Sequence, residues 1–244
     1  MGEAATVSGG EKVIRGTGIL ACELFAAVTL VLCLRGGQLE QILVAGGTLL
    51  LILVPEILER LLRCRIILPL YLFCLFYAVG PMLGICHKLY YLLSWWDKML
   101  HIFGGIAFAI FGLYLFQAFA GFGRKKLFFT ALFAVCFSVA VSAVWEFAEF
   151  GADQFLGMDM QSDWVIDSIR SYSIGEGVGV AGTIEHIHSV VINGEILPIS
   201  GYLDIGLMDT MLDMLLESLG AAAVAALYLI DKGRHPLVIP NRTK

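Results

Sequence analysis

Charge is scarce in this chain. Asp, Glu, Lys and Arg make up 15% of its 244 residues, against about 25% in an ordinary soluble domain. Proline is scarce too, with six residues, and no Pro/Gly/Ser-rich linker divides the sequence, so one bundle spanning residues 1–244 is expected. A basic excess is missing: the net charge is −5, which excludes the cationic face that nucleic-acid phosphates require. Internal repeats are missing, which argues against an inverted-repeat transporter. No P-loop or nucleophile motif is present. Gly177, Gly179 and Gly182 match a dinucleotide fingerprint, but no strand-then-helix unit surrounds them, and they read as a loop. Six cysteines are present. All lie in or beside apolar runs, and they read as small buried hydrophobes, not a redox or metal set.

What the chain has in excess is apolar sequence: 59% of residues are hydrophobic and the mean hydropathy is +0.84. The excess is gathered into runs long enough to cross a bilayer, which takes about 18 or more apolar residues as helix. Spans are expected at Gly16–Leu34, Ile42–Leu62, Ile66–Cys86, Asp97–Phe119, Leu127–Phe155 and Gly206–Ile230. The fold class is therefore an all-α polytopic membrane protein with six transmembrane helices. The first run follows Lys12 and Arg15 but is too long for a signal-peptide core, so it reads as a retained anchor. Twelve of the Lys and Arg residues fall on one side of these spans and four on the other. The positive-inside rule then places both termini in the cytoplasm and the insert at residues 157–205 outside. Within the insert, Ile187–Ile192 and Glu195–Ile199 flank Asn193-Gly194, the strongest two-residue hairpin signal. A small extracytoplasmic β-hairpin is expected, with His186 and His188 on one face of its first strand.

Ionisable residues inside spans are costly and mark function. Here they form three stripes at helical spacing. Asp97 and His101 open the fourth span. Glu146, Glu149 and Asp153 close the fifth, with Ser138 and Ser142 continuing the stripe inward. Asp209, Asp213 and Glu217 open the sixth. In the expected topology all three stripes lie at one depth in the outer half of the bilayer and make one pocket. So many carboxylates cannot share a pocket as bare charges; protons or a cation must neutralise them. An oxygen-rich set with one imidazole and no thiolate suits Mg²⁺, Mn²⁺, Ca²⁺ or iron. The expected metal ligands are Asp97, His101, Glu146, Glu149, Asp209 and Asp213, with Asp153 or Glu217 as general base. Asp97 and Asp209 also stand where a carboxylate simply caps a helix. Glu23 and Glu56, in the first two spans at a similar inner-half depth, could form a proton-sharing pair, and Arg60 one turn from Glu56 could instead neutralise it.

The residues Trp96, Asp97, His101, Gly104 and Gly105, then Trp145, Glu146, Glu149, Asp153, Gly157, Met160 and Gln161, then Asp209, Thr210, Asp213 and Gly220 resemble the YjdF-like family of bacterial membrane-spanning proteins. The likeness covers Trp95 to Ala226. A looser likeness extends to VanZ-like proteins, which share an Asp-x3-His and later acidic helices. The resemblance implies a multi-pass protein of the bacterial plasma (inner) membrane and supports these positions; it implies no substrate. The chain departs from the pattern after Gln161, where a long insert precedes the Asp-Thr helix. Three functions fit: a metal-dependent hydrolase of lipid-linked or headgroup substrates, a cation- or proton-coupled transporter, and a non-catalytic immunity or resistance protein that binds an external peptide. Membrane lipids are expected partners in each.

Overall fold

A computed structural model describes residues 8–120 and 126–240. Arg124, Lys125, Arg242 and Lys244, four of the cations behind the expected orientation, lie outside the described residues, as does the Asn241 to Thr243 glycosylation-like triplet. The protein is an all-α polytopic membrane protein. Six helical stretches are long and apolar enough to cross a bilayer: Gly9–Gly36, Leu39–Leu61, Leu68–Cys86, Trp96–Phe119, Leu127–Leu156 and Leu207–Asp231. These coincide with the six expected spans to within a few residues at most ends. Two compact units can be separated, residues 1–143 with 214–244, and residues 144–213.

In the first unit, α1 (Gly9–Gly36) starts at Ser8, whose Oγ accepts from Glu11 N at 3.1 Å. This is an N-cap satisfying one of the orphan donors of the first turn. The second span is broken into α2 (Leu39–Leu51) and α3 (Val54–Leu61). Pro55 explains the break, because its ring would clash with the carbonyl of Leu51 and it has no N–H to donate. Next come β1 (Cys64–Ile66), α4 (Leu68–Cys86), the short α5 (Leu89–Leu92) and α6 (Trp96–Ala120). The helices α1, α2 and α4 pack on one another, and α6 packs on α4. Trp96 Nε1 donates to Gly80 O at 3.1 Å, anchoring the start of α6 to α4.

A buried ionic knot ties the ends of α1, α3 and β1. Arg15, 6% exposed, lies 2.9 Å from both Glu11 and Glu59. Its guanidinium sits 4.3 Å over the Tyr71 ring and also donates to Ile66 O. Ile66 N donates to Glu59 at 2.6 Å, and Arg65 pairs with Glu11. Every charge in the knot has a partner of opposite sign, the condition under which burial is tolerated. β1 pairs antiparallel with the C-terminal strand β8 (Val238–Pro240).

α7 (Leu127–Leu156) and α8 (Leu207–Asp231) are each uninterrupted. The second unit contains the end of α7, the start of α8 and three small antiparallel pairs between them. These are β2 (Val165–Ile166) with β7 (Tyr202–Leu203), β3 (Ile169–Ser171) with β4 (Gly182–Ile184), and β5 (Val191–Ile192) with β6 (Glu195–Ile196). The β5–β6 hairpin turns at Asn193 and Gly194, whose φ values of 54° and 90° are the positive pair a type I′ turn needs. The hairpin is shorter than expected. His186 and His188 precede β5 and lie in no strand, and His186 itself has φ 56°. Gly179, in the fingerprint-like stretch, has φ 75°, and Val180 N donates to Gly177 O at 3.1 Å, a turn leading into β4.

Candidate metal centre

Within the first unit the site is built on the crossing of α6 and α8, and glycine makes that crossing possible. A Cβ on Gly105 would stand 2.0 Å from Glu217 O, and one on Gly220 would stand 2.4 Å from Ile102 O. Backbones this close exclude any larger residue at either position, the small-residue logic of membrane helix packing. The crossing also fixes Glu217 against the face of α6 that carries Asp97 and His101.

His101 is 8% exposed and Glu217 is 3% exposed. His101 Nε2 lies 3.6 Å from Asp97 Oδ1, and His101 Nδ1 lies 3.9 Å from Glu217 Oε2. The imidazole is thus flanked by a carboxylate on each nitrogen. Asp97 also pairs with Lys98 at 2.9 Å. Glu217 Oε1 is buried without a hydrogen-bond partner. Over the bare face of Gly104, the Tyr77 hydroxyl and Glu217 Oε1 converge, at 2.7 and 3.5 Å from where a Cβ would stand. Phe108 meets the Tyr77 ring edge-on at 6.2 Å. Ser138 Oγ donates to Gly105 O at 3.3 Å, bringing the first half of α7 onto α6. Ser142 Oγ, also buried, has no partner among the described residues.

The second unit places its acids differently. Both oxygens of Asp153 accept backbone N–H groups of the loop that follows α7, from Met160 at 2.6 Å and Gln161 at 2.9 Å. Gln161 Nε2 donates to Thr210 Oγ1 at 2.5 Å, and Ser162 N donates to Asp209 Oδ2 at 3.0 Å. A Cβ on Gly206, whose φ is +78°, would stand 2.7 Å from the Gln161 side chain. Gln161 therefore stays at the start of α8 despite the insert that follows it. Asp204 caps that helix, accepting from Met208 N at 2.6 Å and from Trp164 N at 2.9 Å. Glu149 accepts from Trp145 Nε1 at 2.7 Å. Glu146, Glu149, Asp209 and Asp213 are all buried. In the loop, burial and the neighbouring carboxylates of Asp163, Asp153 and Asp209 push the Asp159 carboxyl above its ordinary value.

Of the eight residues expected at the site, Asp97, His101 and Glu217 converge within the first unit. Asp153 and Asp209 meet the loop in the second unit. Glu146, Glu149 and Asp213 are buried on their helices, with Asp213 and Glu217 one turn apart on the uninterrupted α8. Sequence reasoning missed Tyr77, one aromatic among the apolar residues of the third span. Glu59 was missed as well, since its partner Arg15 is 44 residues away in sequence.

Six apolar spans and a buried carboxylate–imidazole group at a glycine-mediated crossing define a polytopic membrane protein with an intramembrane polar site. The chain belongs to the DUF2238 family of predicted membrane proteins, whose profile matches residues 18–234. The resemblance to YjdF-like proteins is consistent with that membership, and the looser likeness to VanZ-like proteins finds no support in it. No curated protein and no solved structure matches the chain.

Proposed function

We propose that Asp97 and His101 hold a divalent cation, and that the ion serves hydrolysis of a lipid-linked or headgroup substrate at the extracytoplasmic face of a bacterial plasma membrane. The observation that carries this reading is the buried His101 ring with a carboxylate on each nitrogen. One nitrogen of such a ring can bind a metal ion beside its carboxylate neighbour. In metal sites the other nitrogen is typically turned to a carboxylate that fixes tautomer and orientation. Glu217 Oε2 fills the orienting position, and its unpartnered Oε1 is left to take a proton from water. The base role considered for Asp153 thereby passes to Glu217, because both Asp153 oxygens are occupied by the loop. A carboxylate and imidazole set with no thiolate suits Mg²⁺, Mn²⁺, Ca²⁺ or iron. A metal there polarises a phosphoryl or carbonyl oxygen and activates water.

The test uses purified protein. A ligand that binds only the folded state at 100 times its Kd stabilises by about 2.7 kcal/mol. Mn²⁺ or Mg²⁺ is expected to raise the melting temperature of the wild type, and His101→Gln and Asp97→Asn are expected to lose the rise. Phosphate release from a lipid-linked diphosphate is expected to fall at least a hundredfold in Glu217→Gln, within the range that general-base catalysis contributes. A melting temperature indifferent to chelator and to excess metal removes the metal from the proposal.

One observation favours a second reading, cation- or proton-coupled transport. Glu23, within α1, has a buried Oε1 with no partner, which is a polar station that a hydrolase does not need. Proton or cation flux into liposomes that is lost in Glu23→Gln, with no phosphate release from lipid-linked substrate, decides for transport.

A further inference from the structure

A cavity of about 360 Å³ lies between α6, α8 and the C-terminal segment of the first unit, within the range of about 300–1,000 Å³ typical of ligand sites. Ile106, Ile110 and Val224 line the end nearer the Gly105 and Gly220 crossing, on the far side of it from His101. Leu227 also lines the cavity and is 66% exposed on a membrane span, so the cavity opens toward hydrocarbon there. Polar groups gather at the other end. Gln117 Nε2 donates to Tyr228 OH at 2.8 Å. Gly233, at φ +64°, donates its N–H to Tyr228 O at 3.1 Å and reverses the chain after α8, a left-handed cap that glycine adopts without strain. The reversal brings Leu237 and Val238 back onto the cavity wall.

The charges at this end are unbalanced. Asp231 lines the cavity, but one of its oxygens pairs with His235 Nδ1 at 2.7 Å, and the other accepts from the backbone N–H groups of Arg234 and His235 at 2.6 and 2.9 Å. Exposed Lys232 and Arg234 alternate in the chain with the lining residues Asp231, Gly233 and His235, and among the described residues neither has an ion pair. The Tyr114 hydroxyl, from the cavity wall, donates to Leu62 O at 2.9 Å, which brings exposed Arg63 to the same end.

We propose that this cavity binds one anionic phospholipid, with an acyl chain along Ile106, Ile110 and Val224 and the phosphate at Lys232 and Arg234. Water does not suit the apolar end, because a buried water needs about two to four polar partners. The hydrocarbon of the bilayer is at hand where Leu227 is exposed. By the charge bias that orients the insert, the polar end is cytoplasmic, and basic pockets between membrane helices on that side bind anionic head groups.

The experiment uses the full-length protein in phosphatidylcholine vesicles holding a trace of phosphatidylglycerol with a photoreactive diazirine on one acyl chain. Cross-linked peptides are mapped by mass spectrometry. Labels are expected to concentrate on the segments 106–117 and 224–238, to be displaced by excess unlabelled phosphatidylglycerol, and to be indifferent to inorganic phosphate. The double variant Lys232→Gln with Arg234→Gln, at exposed positions, is expected to melt like the wild type and to lose labelling about tenfold, since each cation near an anionic head group contributes about 1 kcal/mol. Leu227→Trp, which narrows the opening, is expected to reduce labelling as well. Labels spread evenly over exposed residues such as Leu20, Leu24 and Leu32 of α1 would overturn the proposal. So would equal labelling by a phosphatidylcholine carrying the same diazirine chain, or labelling unchanged in the double variant. Labelling that appears only once residues 241–244 are removed, or once a dimer is dissociated, would overturn it too, by putting the chain itself in the cavity.

Discussion

Replacing Gly105 with alanine tests the helix crossing that holds the site. The added methyl would stand 2.0 Å from Glu217 O, 2.8 Å from Glu217 C and 3.0 Å from Glu217 Cα. All three are backbone atoms, so no rotamer change relieves the clash, and α6 and α8 must separate. Reaching ordinary contact at about 3.4 Å requires more than an ångström of movement, and overpacking of that kind costs about 1–3 kcal/mol. A control of opposite sign is available in the same chain. Gly46 and Gly47 lie inside α2 with nothing within 4 Å of an added Cβ. There the substitution removes only glycine's entropic penalty and is expected to stabilise by about 0.5–1 kcal/mol. The assay is thermal unfolding in detergent, where 1 kcal/mol is about 2–4 °C for a chain of this size. Gly105→Ala is expected to lower the midpoint by several degrees and to reduce the metal-induced rise, since Glu217 moves away from His101. Gly47→Ala is expected to raise the midpoint slightly and leave the metal response intact. If the two variants shift the midpoint in the same direction, the close crossing is not what fixes Glu217.

Orientation is tested by labelling in a cysteine-free background: Asn193→Cys is expected to react with an impermeant maleimide from outside and Thr243→Cys is not. The reverse pattern would move the site to the cytoplasmic side. In the ionic knot, Glu59→Gln leaves Arg15 with Glu11 as its remaining acid. Breaking a buried pair costs about 3–5 kcal/mol when the other charge is stranded, so a loss toward or below the lower bound is expected in denaturant unfolding, and no loss would place the knot in water. Asp159 gives a pH dependence confined to the insert. Its folded pKa is raised, so its favourable contribution is complete below the unfolded value of about 3.9 and is lost as pH rises through the folded value. Asp159→Asn is therefore expected to slow hydrogen exchange in the loop after α7 at pH 7 and to have no effect near pH 3; equal effects at both would show that charge is not the cause.

The spans were legible because a bilayer leaves little choice: a long apolar run must be helical to satisfy its own backbone, so length and hydropathy suffice. Asn193-Gly194 was legible for a similar reason, since Asn-Gly supplies the two positive φ values that a type I′ hairpin turn needs. The ionic knot was not, because it depends on which helix ends meet. Nothing local in Arg15 indicates that it lies against Glu59 and over Tyr71. The site falls between these cases. Helical spacing puts Asp97 with His101 and Asp213 with Glu217, but it cannot say which nitrogen of His101 faces which acid. That assignment decides the chemistry, because a carboxylate on Nε2 and another on Nδ1 cannot both reach one ion. It is set by the glycines at 104, 105 and 220, which the sequence displays without stating what approaches them. Spacing also treated Asp153 as equivalent to its neighbours Glu146 and Glu149. A carboxylate near a helix end can serve a pocket or can collect the N–H groups of the next loop, and Met160 and Gln161 draw Asp153 to the second use. Periodicity identifies the face of a helix on which an acid lies; the backbone that follows decides whether that acid is free to do chemistry.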